Sequence, residues 1–570
     1  MSAASPKPVP SFLLERAARE PDAVLCMVPL SMQASLPGGT AHPDHPEWCT
    51  IRVDSALHQV AGLARRLHAL GVRSGDRVAI VAETSHLWAA TDLAVMSIGG
   101  VTVGLYTTLP PRKLGGLLKH CSARLVIFEN DAMWERYRDV IESVPLGAQV
   151  FHSGGAVEPL RPSECSSSWL HAQIAAIDPA QPAAIVYTSG TTGDSKGVVL
   201  SHAAFHHVVC ESRNAVPTRP GDRSVVFLPM AHVLQRFATY RGLVDGVEGW
   251  YAPDIESLPE TIRQARPHIL IAVPRVLEKI RQQARARAVE RSAGSLFDWA
   301  SAVAEQPRAS TFRSRARHSL ADRLVLKRVR SGLGGHLRVI ASGSAPLDRR
   351  LAAWFEGCGI AVREGWGLTE TCAPATAVPL TESRPGSVGR ALDGVELRVA
   401  EDGELEVRSP ALFTEYLDDA EATAAAFTHD GWFRTGDLGR IDSQGFVWLT
   451  GRKKNLIITA GGRNIAPSPI EAALRVDGVA QVVVLGDRRP FLTALFFPEA
   501  ELPRPEPRTV IQTAVDAWNA EQPPHRQVVR WRWSRRPLTI ESGTLTPTLK
   551  VQRDAVKRHF AGLIEQLYGA

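Results

Sequence analysis

The ten residues 188–197, Thr-Ser-Gly-Thr-Thr-Gly-Asp-Ser-Lys-Gly, constrain this chain more than any other segment. They lie between two apolar runs, 183–187 and 198–200, that read as buried strands, and Ser201-His202 then opens a helix. A strand, a hydroxyl- and glycine-rich turn and one lysine make a phosphate cradle. Glycines let backbone N–H groups approach an anion, hydroxyls donate to phosphate oxygens, and Lys196 adds a point charge. The segment is not a Walker loop: Ser195 stands where the second glycine belongs, and Gly197 where a magnesium-binding Ser or Thr belongs. Five hydroxyl residues, three glycines and a lysine in ten positions are too dense for an ordinary loop.

The pattern around this turn is that of an α/β protein. A helix is expected over 53–70, a strand over 77–81, a helix over 88–96 and strands over 101–103 and 124–128. Residues 131–180 carry weaker signals and read as a peripheral excursion. Strands over 223–228 and 268–273 each end at a proline, and 275–330 is helical throughout. A strand over 338–341 runs into the turn 342–346. Short strands over 394–449 form a β-rich lobe. The chain breaks near 451–455. Its C-terminal remainder has a helix over 468–475, strands over 481–485 and 493–497, a proline-rich loop over 498–507 and a helix over 551–568. A length of 570 residues requires two or more domains.

The totals exclude several classes. Sixty-five basic against 59 acidic residues is too balanced for a dedicated nucleic-acid binder. The arginine-rich stretch 281–330 reads as a solvated helix face, with an anionic-ligand or membrane-surface role as the alternative. Seven cysteines without a CxxC pair argue against a zinc site or a disulfide framework and suit a reducing cytoplasm. Residues 1–10 lack an apolar signal core, and the most apolar stretch, 93–106, is too short to span a bilayer. The expectation is a cytoplasmic protein, with peripheral membrane attachment left open.

Six separated segments carry a family resemblance. They are 188–197, Gly343-Ser344-Ala345-Pro346, Gly365-Trp366-Gly367-Leu368-Thr369-Glu370, Thr435-Gly436-Asp437, Gly451-Arg452 and Thr546-Pro547-Thr548-Leu549-Lys550. In order and spacing they resemble the acyl-adenylate-forming ligases, which include acyl-CoA synthetases, peptide-synthetase adenylation domains and firefly luciferase. The resemblance implies a large α/β N-terminal domain (1–451) with a β-rich lobe, a hinge (452–454) and a small mobile α+β C-terminal domain (455–570). It implies ATP and Mg²⁺ as cofactors and coenzyme A as co-substrate.

It also assigns roles, each sensible for joining two anions with loss of pyrophosphate. Thr188, Ser189, Gly190, Thr191, Thr192, Gly193 and Lys196 hold phosphates. Glu370 is the magnesium carboxylate and Thr369 holds a phosphate oxygen. Gly365, Trp366 and Gly367 form one wall of the adenine slot, with Trp366 in place of the usual tyrosine, and Gly343, Ser344, Ala345 and Pro346 form the other. Asp437 accepts the ribose hydroxyls and Arg452 reaches the same nucleotide. Lys550 is the catalytic lysine and Lys454 the pivot. Gly461 and Gly462 let backbone approach the pantetheine arm. His232 lies near the substrate carboxylate, so the implied catalytic set is Lys550, Thr188, Glu370 and His232.

The segments 228–233, 273–280 and 460–467 resemble bacterial long-chain fatty acyl-CoA synthetases, which implies a medium- or long-chain fatty acid as substrate. An acyl carrier protein or another nucleophile as acceptor, with an aryl or alkyl acid, is the alternative. Two departures stand out: Gly104 where relatives often carry proline, and Gln552 in place of a frequent basic residue.

Overall fold

A computed structural model describes residues 5–32, 39–144, 146–152, 166–188, 195–216, 218–306, 311–476, 478–499, 507–546 and 549–569. Contacts divide the chain into two compact units. One comprises Met1–Thr188, Lys196–Glu396 and Arg408–Gly431; the other includes Leu397–Val407 and Trp432–Ala570.

Among the described residues the first unit holds two large sheets. In the seven-stranded sheet, Gly147–His152, Leu125–Asn130, Arg77–Val81, Val101–Leu105 and Pro182–Thr188 run parallel in that spatial order. Lys196–Ser201 and Glu415–Tyr416 then add antiparallel. The segment 131–180 is therefore only partly peripheral: Gly147–His152 is an edge strand, disguised by its glycine and polar Gln149. In the ten-stranded sheet the parallel core is Ala361–Leu368, Val339–Ser342, Ile269–Ala272, Arg223–Val226, Glu248–Tyr251 and Val24–Pro29. Parallel strands are buried on both faces, which is why they read as continuous apolar runs.

This arrangement places the motifs. The turns after Arg223–Val226, Ile269–Ala272 and Val339–Ser342 all leave one edge of the sheet, because parallel strands share a direction. Ser342 pairs with Glu364, so the turn beginning at Gly343 lies beside Gly365. The helical stretch expected over 275–330 is present as Pro274–Glu290, Gly294–Ala304, Phe312–Ala321 and Lys327–Gly332.

In the second unit a four-stranded antiparallel sheet contains Glu396–Val399, Glu404–Arg408, Phe433–Ile441 and Val447–Arg452, with Glu396 and Arg408 at its border. The β-rich lobe thus groups by its contacts with the residues C-terminal to it. A three-stranded sheet of Gln481–Leu485, Leu492–Phe497 and Val528–Trp533 packs on Pro467–Ala473 and Arg508–Ala520 through Ile470, Phe496, Ile511 and Val515. The C-terminal helix is two helices, Arg553–His559 and Ala561–Tyr568, broken at Phe560.

Candidate active site

In the first unit, strand pairing delivers the charged groups. Thr188 and Lys196 are register partners at the ends of adjacent strands, and the Thr188 hydroxyl reaches the Lys196 carbonyl at 3.5 Å. Ser189, Gly190, Thr191, Thr192 and Gly193 lie outside the described residues. Lys196 Nζ sits 4.5 Å from the centre of the Tyr416 ring and 3.9 Å from Asp419 Oδ2. The hydroxyl of the same Tyr416 donates to Glu370 Oε1 at 2.9 Å. Glu370 lies in a short 3₁₀ turn, Thr369–Thr371, which Thr371 fixes by accepting the Leu368 N–H at 2.8 Å.

The two proposed adenine walls meet. A Cβ added to Gly343 would lie 3.3 Å from the Gly365 carbonyl oxygen, and one on Gly367 would overlap the Ala373 carbonyl oxygen. Gly367 is therefore needed for backbone approach, and a methyl at Gly343 would sit tight against its neighbour. Ser344 adopts φ 68°, while Ala345 and Pro346 are exposed. Trp366 is 6% exposed, and Thr369 is half-buried. Glu364, not singled out by sequence, shares the strand face of Trp366. Burial pushes its carboxyl up to about 7, despite an N–H donated by Gly386 at 3.3 Å.

His232 caps the helix Val233–Asp245, its Nδ1 accepting the Leu234 N–H at 3.2 Å. A neutral imidazole so placed carries its proton on Nε2. Two devices hold the turn before it. Thr84 donates to the Leu228 carbonyl at 2.8 Å and accepts from Met230 N–H at 2.9 Å. Gly104 admits Ala231, whose Cα would be 2.8 Å from a Cβ at position 104. The departure from proline thus has a steric reason. Below His232, Arg236, Asp92 and Tyr240 form a buried hydrogen-bonded triad between two helices.

The second unit gathers another set. Asp437 and Arg452 are register partners, and Arg452 Nε lies 2.8 Å from Asp437 Oδ1 as an ion pair, without the alignment of a hydrogen bond. The turn that carries Asp437 is fixed from below: Gly436, at φ 71°, donates to Glu404 Oε1 at 2.7 Å, and Thr435 donates to the Leu405 carbonyl at 2.6 Å. Glu404 also meets Lys453 Nζ at 3.0 Å. Lys454 is exposed in the 3₁₀ turn Lys453–Asn455, and Gly461 and Gly462 are exposed at the tip between Ile457–Ile458 and Asn464–Ile465, Gly462 at φ 72°. Lys550 is exposed beside an isolated Leu545–Val551 bridge; its N–H donates to Thr546 Oγ1 at 3.0 Å, and Leu549 adopts φ 59°. Pro547 and Thr548 lie outside the described residues.

Comparison with known proteins decides the family. Residues 17–417 match the AMP-binding enzyme family, and residues 454–570 match the AMP-binding enzyme C-terminal domain. This chain belongs to the AMP-binding enzymes. The long-chain-fatty-acid–CoA ligase FadD15 of Mycobacterium bovis is 34% identical over 556 residues, covering 91% of this chain and 92% of its own. Among solved structures, the anthranilate CoA ligase AuaEII in complex with anthranoyl-AMP superposes with a TM-score of 0.74 at 19% identity, covering 99% of both chains. ATP-bound MatB from Rhodopseudomonas palustris superposes with a TM-score of 0.71 at 24% identity, covering 97% of this chain and 99% of that one. The mixed α/β fold of this AMP-binding enzyme is thus the one shared by those structures.

One metal fits this AMP-binding enzyme on chemical grounds. Among the described residues no three His, Cys, Asp or Glu side chains form a metal cage. A single oriented carboxylate suits Mg²⁺, which takes its remaining ligands from phosphate oxygens and water.

Proposed function

We propose that this enzyme activates a medium- or long-chain fatty acid with ATP to an acyl-adenylate and transfers the acyl group to coenzyme A. The observation that carries the reading is an apolar-walled cavity in the first unit. It lies against the helix that His232 caps, through Gln235, Ala238 and Thr239, and against Leu93, Tyr251 and Ile271. No Asp or Glu lines it among the described residues, so an amino acid's ammonium would have no partner there. The buried Arg16 and Arg241 on its wall are occupied: Arg16 donates to the carbonyls of Val24, Gly242 and Val247, and Arg241 pairs with Asp245 and the Val209 carbonyl. A long apolar acid is what such a wall accepts. The full-length likeness to FadD15, itself a long-chain-fatty-acid–CoA ligase, supports the same substrate class.

In this reading the substrate carboxylate oxygen attacks the α-phosphorus of ATP and pyrophosphate leaves. Thr188, residues 189–193 and Lys196 hold the phosphates, with Glu370 as the protein ligand of Mg²⁺, which supplies charge neutralisation when bound. Gly343–Pro346 and 365–367 enclose adenine, and Asp437 with Arg452 holds the ribose. Lys550 stabilises the α-phosphate as charge builds. The chain then turns at 452–454, between a 1–451 domain and a 455–570 domain. The thiol attacks the acyl carbonyl, guided along Gly461 and Gly462, and AMP leaves.

Pyrophosphate release across an acid panel, with and without coenzyme A, tests the reading. Octanoate and palmitate should outcompete short polar and amino acids, and thioester should form with coenzyme A. Preference for a polar acid, or transfer only to a carrier protein, would overturn it. The exposed face of Phe312–Ala321 is the proposed contact with an anionic bilayer. Phe312 is 85% and Leu320 49% exposed beside Arg313, Arg315 and Arg317, and no helix among the described residues is long and apolar enough to cross a membrane. Cosedimentation with anionic vesicles should weaken in Phe312→Asp.

A further inference from the structure

Tyr416 belongs to none of the six motifs, yet it stands between the two most important charges of the first unit. The backbone puts it there. Phe413 N–H donates to the Glu370 carbonyl at 2.8 Å, Thr414 N–H to the Val199 carbonyl at 2.9 Å, and Leu417 N–H to the Gly197 carbonyl at 2.8 Å. The first ties the segment to the Glu370 turn, and the other two zip the Glu415–Tyr416 strand onto the strand that begins at Lys196, in the register Tyr416–Val198. The ring is 9% exposed and is backed by Phe413 at 4.7 Å, which stacks on Phe427 at 5.6 Å.

From this fixed position the side chain touches both charges at once. Its hydroxyl donates to Glu370 Oε1 at 2.9 Å, and its face carries Lys196 Nζ at 4.5 Å. We propose that Tyr416 is a positioning residue of the nucleotide site: it aims the Glu370 carboxylate at Mg²⁺ and holds the Lys196 ammonium in place for phosphate.

Two physical arguments support the role, and both rest on the functions proposed above for Glu370 and Lys196. The terminal torsion of a glutamate is broad, whereas Mg²⁺ demands near-octahedral geometry. A phenol hydrogen bond to Oε1 fixes the carboxylate plane and leaves Oε2 presented in one direction. At Lys196, an aromatic face attracts an ammonium without neutralising it. A carboxylate in the same place would form an ion pair that phosphate would have to displace. The Asp419 contact does not play that part, being 3.9 Å long between side chains about 40% exposed.

The test is a Mg²⁺ titration of ATP-dependent pyrophosphate release by the full chain, run on wild type, Tyr416→Phe, Tyr416→Leu and Glu370→Gln, with thermal melts of each. Tyr416→Phe keeps the ring and loses the hydroxyl. It should raise the half-saturating Mg²⁺ about tenfold, with kcat recovering to within about threefold at saturating metal. Tyr416→Leu loses the ring face as well, and should add a rise of about threefold or more in the KM for ATP that Tyr416→Phe lacks. A merely structural tyrosine would lower the melting temperature without moving the metal midpoint, and that result overturns the proposal. If Glu370→Gln shifts the Mg²⁺ midpoint and Tyr416→Phe does not, the tyrosine proposal alone falls. If Glu370→Gln does not shift it, the assignment of Glu370 to the metal falls and takes the role of Tyr416 with it. Should Tyr416→Leu fail to fold, the Tyr416→Phe comparison stands by itself.

Discussion

The charged site residues of the first unit and the exposed C-terminal site residues of the second are held in opposite ways. Lys196, Tyr416 and Glu370 are positioned by strand register and by backbone hydrogen bonds between segments far apart in sequence. Lys454, Gly461, Gly462 and Lys550 are exposed on turns, two of which contain residues in the left-handed region, Gly462 and Leu549. Register fixes a side chain to within the tolerance of a sheet; a surface turn fixes it only as well as its few local bonds allow. The lesson is a division of labour. In the reading proposed above, the groups that meet phosphate and metal are anchored by sheet pairing, and the groups proposed for one half-reaction are carried on exposed turns.

The sharpest way to break this contrast is Lys550→Ala. Acyl-adenylate formation should fall by at least ~10²-fold, while supplied acyl-adenylate and coenzyme A still give thioester at near wild-type rate. Separate assays of the two half-reactions decide it; loss of both would mean that Lys550 is not dedicated to one step.

Next in size is a stability effect confined to the buried region. The carboxyl of Glu364 is raised to about 7 by desolvation, so the folded state holds its proton more tightly than the unfolded chain does. Its contribution to stability therefore declines as pH rises from about 4.5 to about 7 and is flat above that. Glu364→Gln should gain on wild type across that window, reaching on the order of 2 kcal/mol by pH 8. Melting curves at pH 5 and pH 8 measure it, and an equal difference at both would remove Glu364 as the cause.

Lys454→Pro probes the other region. Proline fixes φ and deletes an N–H at the proposed pivot, so thioester formation should drop about tenfold with adenylation largely kept. An equal loss in both steps would count against a pivot at this position. The smallest expected effect concerns the cavity: each methylene added to a straight-chain acid should improve apparent affinity by up to about 0.8 kcal/mol until the space is full. A flat series from octanoate upward would show that the chain lies elsewhere.

The sequence made the buried strands legible because parallel strands covered on both faces are continuous apolar runs. Arg77–Val81 and Gln481–Leu485 have the bounds expected from such runs. Edge strands were harder. Gly147–His152 carries a glycine and two polar side chains, and the Val528–Trp533 strand alternates arginine with tryptophan as an edge strand can. Phe560 breaks the last helix, with only the nearby Gly562 as a sequence signal. In the site, residues within contiguous motifs could be singled out. Tyr416 could not, because its partner Glu370 is 46 residues away and the two meet only through strand pairing. Glu364 was missed for a related reason: its raised pKa comes from burial, which a single sequence does not display.

Gly104 and Ala231 have a consequence for how this chain can vary. The strand and the turn that leads to His232 are separated by the thickness of one missing methyl group. A side chain at 104 is admissible only if the turn at 231 recedes, and a receding turn carries the histidine with it. The two positions therefore behave as one heritable character rather than two. Gly104→Ala alone is a spacer that displaces an imidazole while leaving every reacting atom chemically unaltered.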